Sequence, residues 1–90
     1  MESLNPLFSG CMTLNEEHIY FGGMNLTYRL IAYTKNGISF FRVCVIKNEE
    51  SDEAELGCDL LRAVEHYRMI VRGSVTPCAL QDVIRELSYA

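Results

Sequence analysis

Apolar and polar residues alternate most regularly in the middle of the chain, on either side of Asn36-Gly37. Residues 26–35 and 38–47 are rich in β-branched and aromatic side chains and are predicted to be strands. Asn-Gly accepts the positive φ angles of a type I′ turn, whose twist suits a two-residue loop between paired strands. The two segments are therefore predicted to form an antiparallel hairpin. In this register the residue numbers of each pair add up to 73, as those of Asn36 and Gly37 do.

This register divides the side chains of the hairpin between two faces. One face is almost wholly apolar and is predicted to form the core: Leu26, Tyr28, Leu30, Ala32, Phe41, Val43 and Val45. A three-residue loop would instead place Arg42 among these core positions, so the pattern favours the two-residue loop.

The second face of the hairpin mixes charged and apolar side chains. Its apolar members Ile31, Tyr33, Phe40 and Ile46 form a candidate interface, because clustered apolar side chains on an exposed face mark partner sites. Two explanations remain open at this point: a partner covers this face, or the N-terminal segment of the chain covers it.

After residue 50 the apolar spacing becomes helical. Asp52 and Glu55 have the spacing of a capping box and predict a helix that begins there and ends near Gly73. Its apolar positions would be Leu56, Leu60, Leu61, Val64, Tyr67, Ile70 and Val71. Gly57 weakens the first turns, so a later start of the helix is one alternative, and a short terminal strand at 69–71 is another.

Thr76-Pro77 predicts the start of a second helix, because threonine caps helices well and proline suits the first helical position. Leu80, Val83, Ile84 and Leu87 then follow along one helical face.

The first quarter of the chain has a weaker pattern. Residues 1–10 are predicted to be irregular, and 18–21 are predicted to be a strand that turns back through Gly22-Gly23. Whether all of residues 11–21 form a strand is left open. The predicted fold is one α+β domain over residues 1–90, with an antiparallel sheet of two or three strands built on the Asn36-Gly37 hairpin and packed by two C-terminal helices, which are expected to cover the apolar face of the hairpin.

Composition excludes several classes of function. The net charge is −4 and the basic residues are scattered, which disfavours a nucleic-acid partner. No apolar run is long enough to span a membrane. Residues 7–11 resemble a lipoprotein attachment box, but the start of the chain lacks a basic residue and Pro6 interrupts the apolar run, so a signal peptide and a membrane partner are not predicted.

The four cysteines, Cys11, Cys44, Cys58 and Cys78, lack the close spacing of zinc ligands, and no metal, cofactor or catalytic residue is predicted. Without an export signal, free thiols in a cytoplasmic protein are expected. Cys78 is the one candidate reactive thiol, because the first turn of a helix favours a thiolate. No Cys-x-x-Cys motif and no nearby histidine accompany it, so ordinary packing at the helix start competes with this hypothesis.

Tyr28-Arg29-Leu30, the Asn36-Gly37 hairpin and residues 75–84 together resemble a family of small uncharacterised proteins common in clostridial-type Firmicutes. The resemblance covers residues 26–87. It implies a bacterial cytosolic protein, and it carries over no activity, cofactor or functional residue.

Two functional hypotheses from different classes follow. The first is a non-enzymatic protein-interaction or regulatory module, in its specific form a homodimer through the face of Tyr33 and Phe40. The alternative is a thiol-dependent enzyme or redox sensor that uses Cys78. The absence of an acid–base pair, a metal site or a phosphate loop favours the non-enzymatic hypothesis.

Overall fold

The computed structural model describes residues 11–89, and the side chains of residues 11–87. Four strands come first in the chain and two helices follow: β1 (Met12–Phe21), β2 (Met24–Lys35), β3 (Ile38–Lys47), β4 (Glu50–Gly57), α1 (Leu60–Arg72) and α2 (Pro77–Tyr89). The strands form one antiparallel sheet in the order β1-β2-β3-β4. The α+β class is confirmed, but the sheet has four strands where two or three were predicted. The predicted irregular segment 1–10 lies outside the described residues.

The central hairpin has the predicted register, from Lys35 opposite Ile38 to Leu26 opposite Lys47. Asn36 and Gly37 both have positive φ angles, 54° and 78°, as a type I′ turn requires.

The N-terminal hairpin is longer than the sequence indicated. Residues 18–21 were predicted to be a strand, and β1 in fact extends back to Met12. It turns into β2 at Gly22-Gly23, the predicted turn, and Phe21 lies opposite Met24. A β-bulge at Leu14 interrupts the pairing between Thr13 and Asn15.

The prediction that a helix begins at Asp52 is wrong, because the segment 50–57 is strand β4. Asn48, with a φ of 53°, and Glu49 form a two-residue turn that folds this segment back onto β3. Ala54 and Leu56 then point to the core while the acidic residues between them point away. This two-residue alternation outweighs the capping-box spacing because it buries apolar side chains against an existing strand.

Helix α1 begins later, at Leu60, which agrees with the alternative of a later start after Gly57, and its N-cap residue is Asp59 instead of Asp52. The Asp59 carboxylate accepts hydrogen bonds from the backbone N–H groups of Leu61 and Arg62, at 3.1 and 3.4 Å. The helix ends at the predicted Gly73, and residues 69–71 are helical, so the alternative terminal strand is wrong. The start of α2 at Pro77 is confirmed.

Both helices pack on one face of the sheet, which we call the inner face. Every core position predicted on the hairpin lies there; all are buried except the half-buried Ala32. The helical layer contributes Ala63, Tyr67, Ile70, Val75 and Leu80 to the same core. The prediction that the helices cover this apolar face is confirmed.

Two buried tyrosines join the layers through hydrogen bonds. The Tyr28 hydroxyl donates to the backbone carbonyl of Val75, in the connection between the helices, at 2.9 Å. The Tyr67 hydroxyl of α1 donates to the backbone carbonyl of Tyr28 at 3.2 Å. Burial raises the pKa of Tyr67 to about 12, with a smaller contribution from the carboxylates of Glu17 and Glu16, so its hydroxyl keeps its proton at neutral pH.

Replacing Tyr28 with phenylalanine should lower the free energy of unfolding by about 1–3 kcal/mol, because the buried Val75 carbonyl loses its donor and gains none. Urea denaturation followed by circular dichroism measures the change. The matched control is Tyr20→Phe, which removes a hydroxyl from a side chain that is 73% exposed and should have little effect. Equal losses in the two variants would contradict the role assigned to Tyr28.

Candidate interaction surface on the outer sheet face

The face of the sheet turned away from the helices, here called the outer face, carries side chains from all four strands. In the described part of the chain no helix or strand packs on it, since α1 and α2 both lie on the inner face. The side chains of its central part are Glu16, His18, Thr27, Arg29, Ile31, Tyr33, Phe40, Arg42, Cys44, Ile46, Glu53 and Glu55.

The four residues predicted as an interface all lie on this face, but they do not form one continuous patch. Tyr33 and Phe40 lie opposite each other near the Asn36-Gly37 turn, and Ile31 lies two residues before Tyr33 on β2. Ile46 lies nearer the other end of β3, opposite Thr27. All four side chains are half-buried by their own neighbours.

The aromatic pair is held in place by charged neighbours. The rings of Tyr33 and Phe40 stack with their centroids 5.7 Å apart, and the Arg42 guanidinium lies over the Tyr33 ring at 4.8 Å. The Tyr33 hydroxyl donates to Glu55 at 2.5 Å. Arg42 also donates to Glu55, at 2.8 and 2.9 Å, and to Glu53 at 3.1 Å. The contacts restrict the Tyr33 ring and Arg42 before any partner arrives.

A second charged cluster lies across β1 and β2. The Arg29 Nε donates to the Glu16 carboxylate at 2.7 Å, and a His18 ring nitrogen lies 2.9 Å from the same carboxylate. The other His18 nitrogen lies 3.1 Å from the Thr27 hydroxyl. These contacts lower the pKa of Glu16, chiefly through the hydrogen bond from Arg29 and then through that from His18.

Cys44 lies between the two clusters, opposite Arg29 on one side and Glu53 on the other. Burial raises the pKa of its thiol, and Glu53 raises it further, while Arg29 and Arg42 act in the opposite direction. The thiol is therefore protonated at neutral pH and serves as a small packing group in the middle of the face.

The sequence did not single out Arg42, Glu53, Glu55, Arg29 or Glu16 as members of this surface. The register of the central hairpin already placed the two arginines on the same face as Tyr33 and Phe40. The acidic partners were missed because Glu53 and Glu55 were assigned to the first turns of a helix. Alternation of Ala54 and Leu56 with the two glutamates was the signal for a strand there.

Cys78, the candidate reactive thiol, is the second residue of α2 and is exposed. Its sulfur lies 3.7 Å from the Thr76 hydroxyl, and none of its polar contacts within residues 11–87 involves a group that could take the thiol proton. The same residues contain no cluster of histidine, cysteine and acidic side chains that could hold a metal ion. The thiol hypothesis thus stays a prediction without a supporting contact.

No family model, curated protein or solved structure matches the chain. Neither helix of the described region is long and apolar enough to cross a membrane.

Glu55 should control the ionisation of Tyr33. The hydrogen bond from the phenol to Glu55 stabilises the protonated form and raises the pKa of Tyr33, while Arg42 partly opposes this. Replacing Glu55 with glutamine should therefore lower the pKa of Tyr33 towards the ordinary tyrosine value, as followed by NMR of the ring carbon bonded to oxygen. Glu53→Gln is the control, because Glu53 contacts Arg42 but not the phenol. An unchanged pKa in Glu55→Gln would contradict the assigned contact.

Proposed function

We propose that this chain is a non-enzymatic protein-interaction module of a bacterial cytoplasm, and that it forms a homodimer by packing two outer faces against each other. The observation that carries this proposal is an aromatic pair, stacked and braced by an arginine, on a sheet face that no described element covers. Tyrosine, phenylalanine and arginine are the side chains enriched at protein interfaces and at their energetic centres.

The charges of the outer face support a second copy as the occupant. The strands place three cationic residues on this face (Arg29, Lys35 and Arg42) and three acidic ones (Glu16, Glu53 and Glu55). The face is thus neutral apart from His18, although the whole chain has a net charge of −4. Two such faces can approach without the repulsion that the overall charge would cause, and isologous dimers are the commonest symmetric assembly.

The size of the face suggests a weak dimer. Four strands about 4.8 Å apart, each contributing about eight residues at about 3.3 Å, define a face of about 500 Å² per protomer. Two faces bury about 1,000 Å² in total, which is the lower limit for a specific interface. The charged clusters must also stay hydrated or keep their pairs on association, because a buried unpaired charge would cost more than the contact gains. We therefore expect a reversible dimer that responds to concentration.

Replacing Phe40 with serine should weaken the dimer by at least about tenfold, since it removes a central aromatic contact and half of the stacked pair. Light scattering coupled to size-exclusion chromatography at several loading concentrations measures the shift towards monomer. Phe21→Ser is the matched control: it removes an aromatic ring that is 57% exposed, on the strand residue before the Gly22-Gly23 turn and not on the outer face.

A wild-type protein that stays monomeric at about 1 mM would contradict the proposal. So would a Phe40→Ser variant that dimerises as tightly as the wild type. The competing explanation, in which the N-terminal segment covers the outer face, concerns residues outside the described region. It expects a monomer that begins to dimerise only when residues 1–10 are deleted, and that result would also overturn the proposal.

A further inference from the structure

The two edges of the sheet differ in how they are protected. At the β4 edge, the Gln81 side chain of α2 donates hydrogen bonds to the backbone carbonyl of Glu53, at 2.9 Å, and to the Asp52 carboxylate, at 3.1 Å. At the opposite edge, β2 is the only described element with extensive contacts to β1. An edge strand without such cover presents unpaired backbone groups that can pair with another strand.

The turn at Gly22-Gly23 determines which backbone groups of β1 face the open edge. A two-residue turn is flanked by a hydrogen-bonded pair, here Phe21 and Met24, and antiparallel ladders then alternate. Ile19, Glu17 and Asn15 therefore direct their N–H and C=O groups to β2. Glu16, His18 and Tyr20 direct theirs to the open edge.

The same alternation holds at the other edge of the sheet. Counted from the turn at Asn48-Glu49, the alternation directs the backbone carbonyl of Glu53 away from β3 and towards the edge of the sheet. This carbonyl accepts the hydrogen bond from Gln81. Glu16, His18 and Tyr20 of β1 therefore present to their edge backbone carbonyls equivalent to the Glu53 carbonyl, which on β4 accepts a hydrogen bond from Gln81 of α2.

The side chains of β1 also differ from those of a protected edge. Half of the exposed large apolar side chains of the described chain belong to this one strand: Met12, Leu14, Tyr20 and Phe21. Natural edge strands are blunted by lysine, by inward-pointing charges or by bulges; β1 has no lysine or arginine, its inward-pointing charge is Glu17, and its bulge lies at Leu14, outside the stretch from Asn15 to Phe21. A bulge at Leu14 ends the regular part of the strand, so Asn15–Phe21 is the stretch on which another strand could pair.

The charge of this stretch indicates the chemistry of its partner. Glu16 points to the outer face and Glu17 to the inner face, and within the described residues Glu17 makes no ion pair. The apolar residues Ile19, Tyr20 and Phe21 lie together at the other end of the stretch. A second copy of β1 would bring two more carboxylates of an acidic chain to this edge, whereas a basic segment would supply a cation to Glu17, since Glu16 already pairs with Arg29.

We propose that the edge of β1 between Asn15 and Phe21 binds an extended segment of a partner protein as a fifth, antiparallel strand. The segment is apolar where it passes Tyr20 and Phe21, and basic where it passes Glu16 and Glu17. Main-chain hydrogen bonds to Glu16, His18 and Tyr20 supply affinity, and the side chains supply specificity, as in other cases of strand addition. This site lies at the rim of the sheet and does not depend on the outer-face homodimer.

The test uses an acetylated, amidated and fluorescently labelled peptide, Val-Tyr-Val-Thr-Arg-Arg-Thr, which fits this stretch in the antiparallel direction. Fluorescence anisotropy with the full chain measures its dissociation constant. Methylation of the peptide nitrogens on its second, fourth and sixth residues should weaken binding by at least about tenfold, because those groups face β1 and can no longer donate. Replacing its two arginines with glutamates should abolish binding.

A matched pair of protein variants tests the same contact from the other side. Tyr20→Pro removes an N–H that faces the open edge and none that bonds to β2, and it should weaken binding of the unmethylated peptide by at least about fivefold. Tyr20→Thr keeps that N–H and should bind more tightly than the proline variant. Thermal unfolding checks that both variants fold. If the proline variant does not fold, the readout is the change in the amide NMR shifts of Glu16, His18 and Tyr20 when peptide is added to the wild-type protein.

Binding that survives methylation, or peptide-induced shifts confined to β3, β4 or α1, would overturn the edge site. In the Phe40→Ser variant, which does not form the outer-face dimer, shifts of the β1 amides that depend on protein concentration alone would overturn the edge site in favour of a second copy. The Phe40→Ser variant should bind the peptide as the wild type does. Loss of the dimer and loss of the edge site are therefore separate results.

Discussion

The fully buried side chain of Tyr28 is the constraint on which the rest of the structure depends. It lies on β2 at a position set by the Asn36-Gly37 turn, and its hydroxyl reaches the backbone of Val75 between the two helices. Its own carbonyl accepts the Tyr67 hydroxyl from α1. Because α1 and the connection that leads into α2 are both tied to this residue, the helical layer lies on the inner face. The outer face is left to side chains alone.

No described helix packs on the outer face, and its side chains are held in place by contacts with one another. Arg42 contacts an aromatic ring and two carboxylates, and Arg29 and His18 share the Glu16 carboxylate. Exposed ion pairs contribute little to stability one at a time, so these networks are better understood as fixing side-chain positions than as holding the fold together. A surface with fixed side chains loses less conformational entropy on binding, which favours an interface.

The sequence was sufficient wherever a local signal and the burial pattern agreed. Asn36-Gly37 and the alternation around it established the register, the core face and the four candidate interface residues, and Pro77 marked the start of α2. The sequence failed where two patterns overlapped, because Asp52 and Glu55 have helix-capping spacing while Ala54 and Leu56 alternate as in a strand. Pairing with β3 decides between them, and that is a contact between segments. The Arg42–Glu55 contact depends on the same pairing, so it could not be predicted either.

We propose the outer face as the surface through which this protein associates. Carbon-13 methyl NMR over a dilution series tests it most directly, because isoleucine methyl groups report from both faces of the sheet and from the helices. We expect the methyl resonances of Ile31 and Ile46 to move with concentration while those of Ile19 and Ile70, on the inner side, stay fixed. Resonances that stay fixed at Ile31 and Ile46 throughout the series, or that move only on the helical side, would contradict the account.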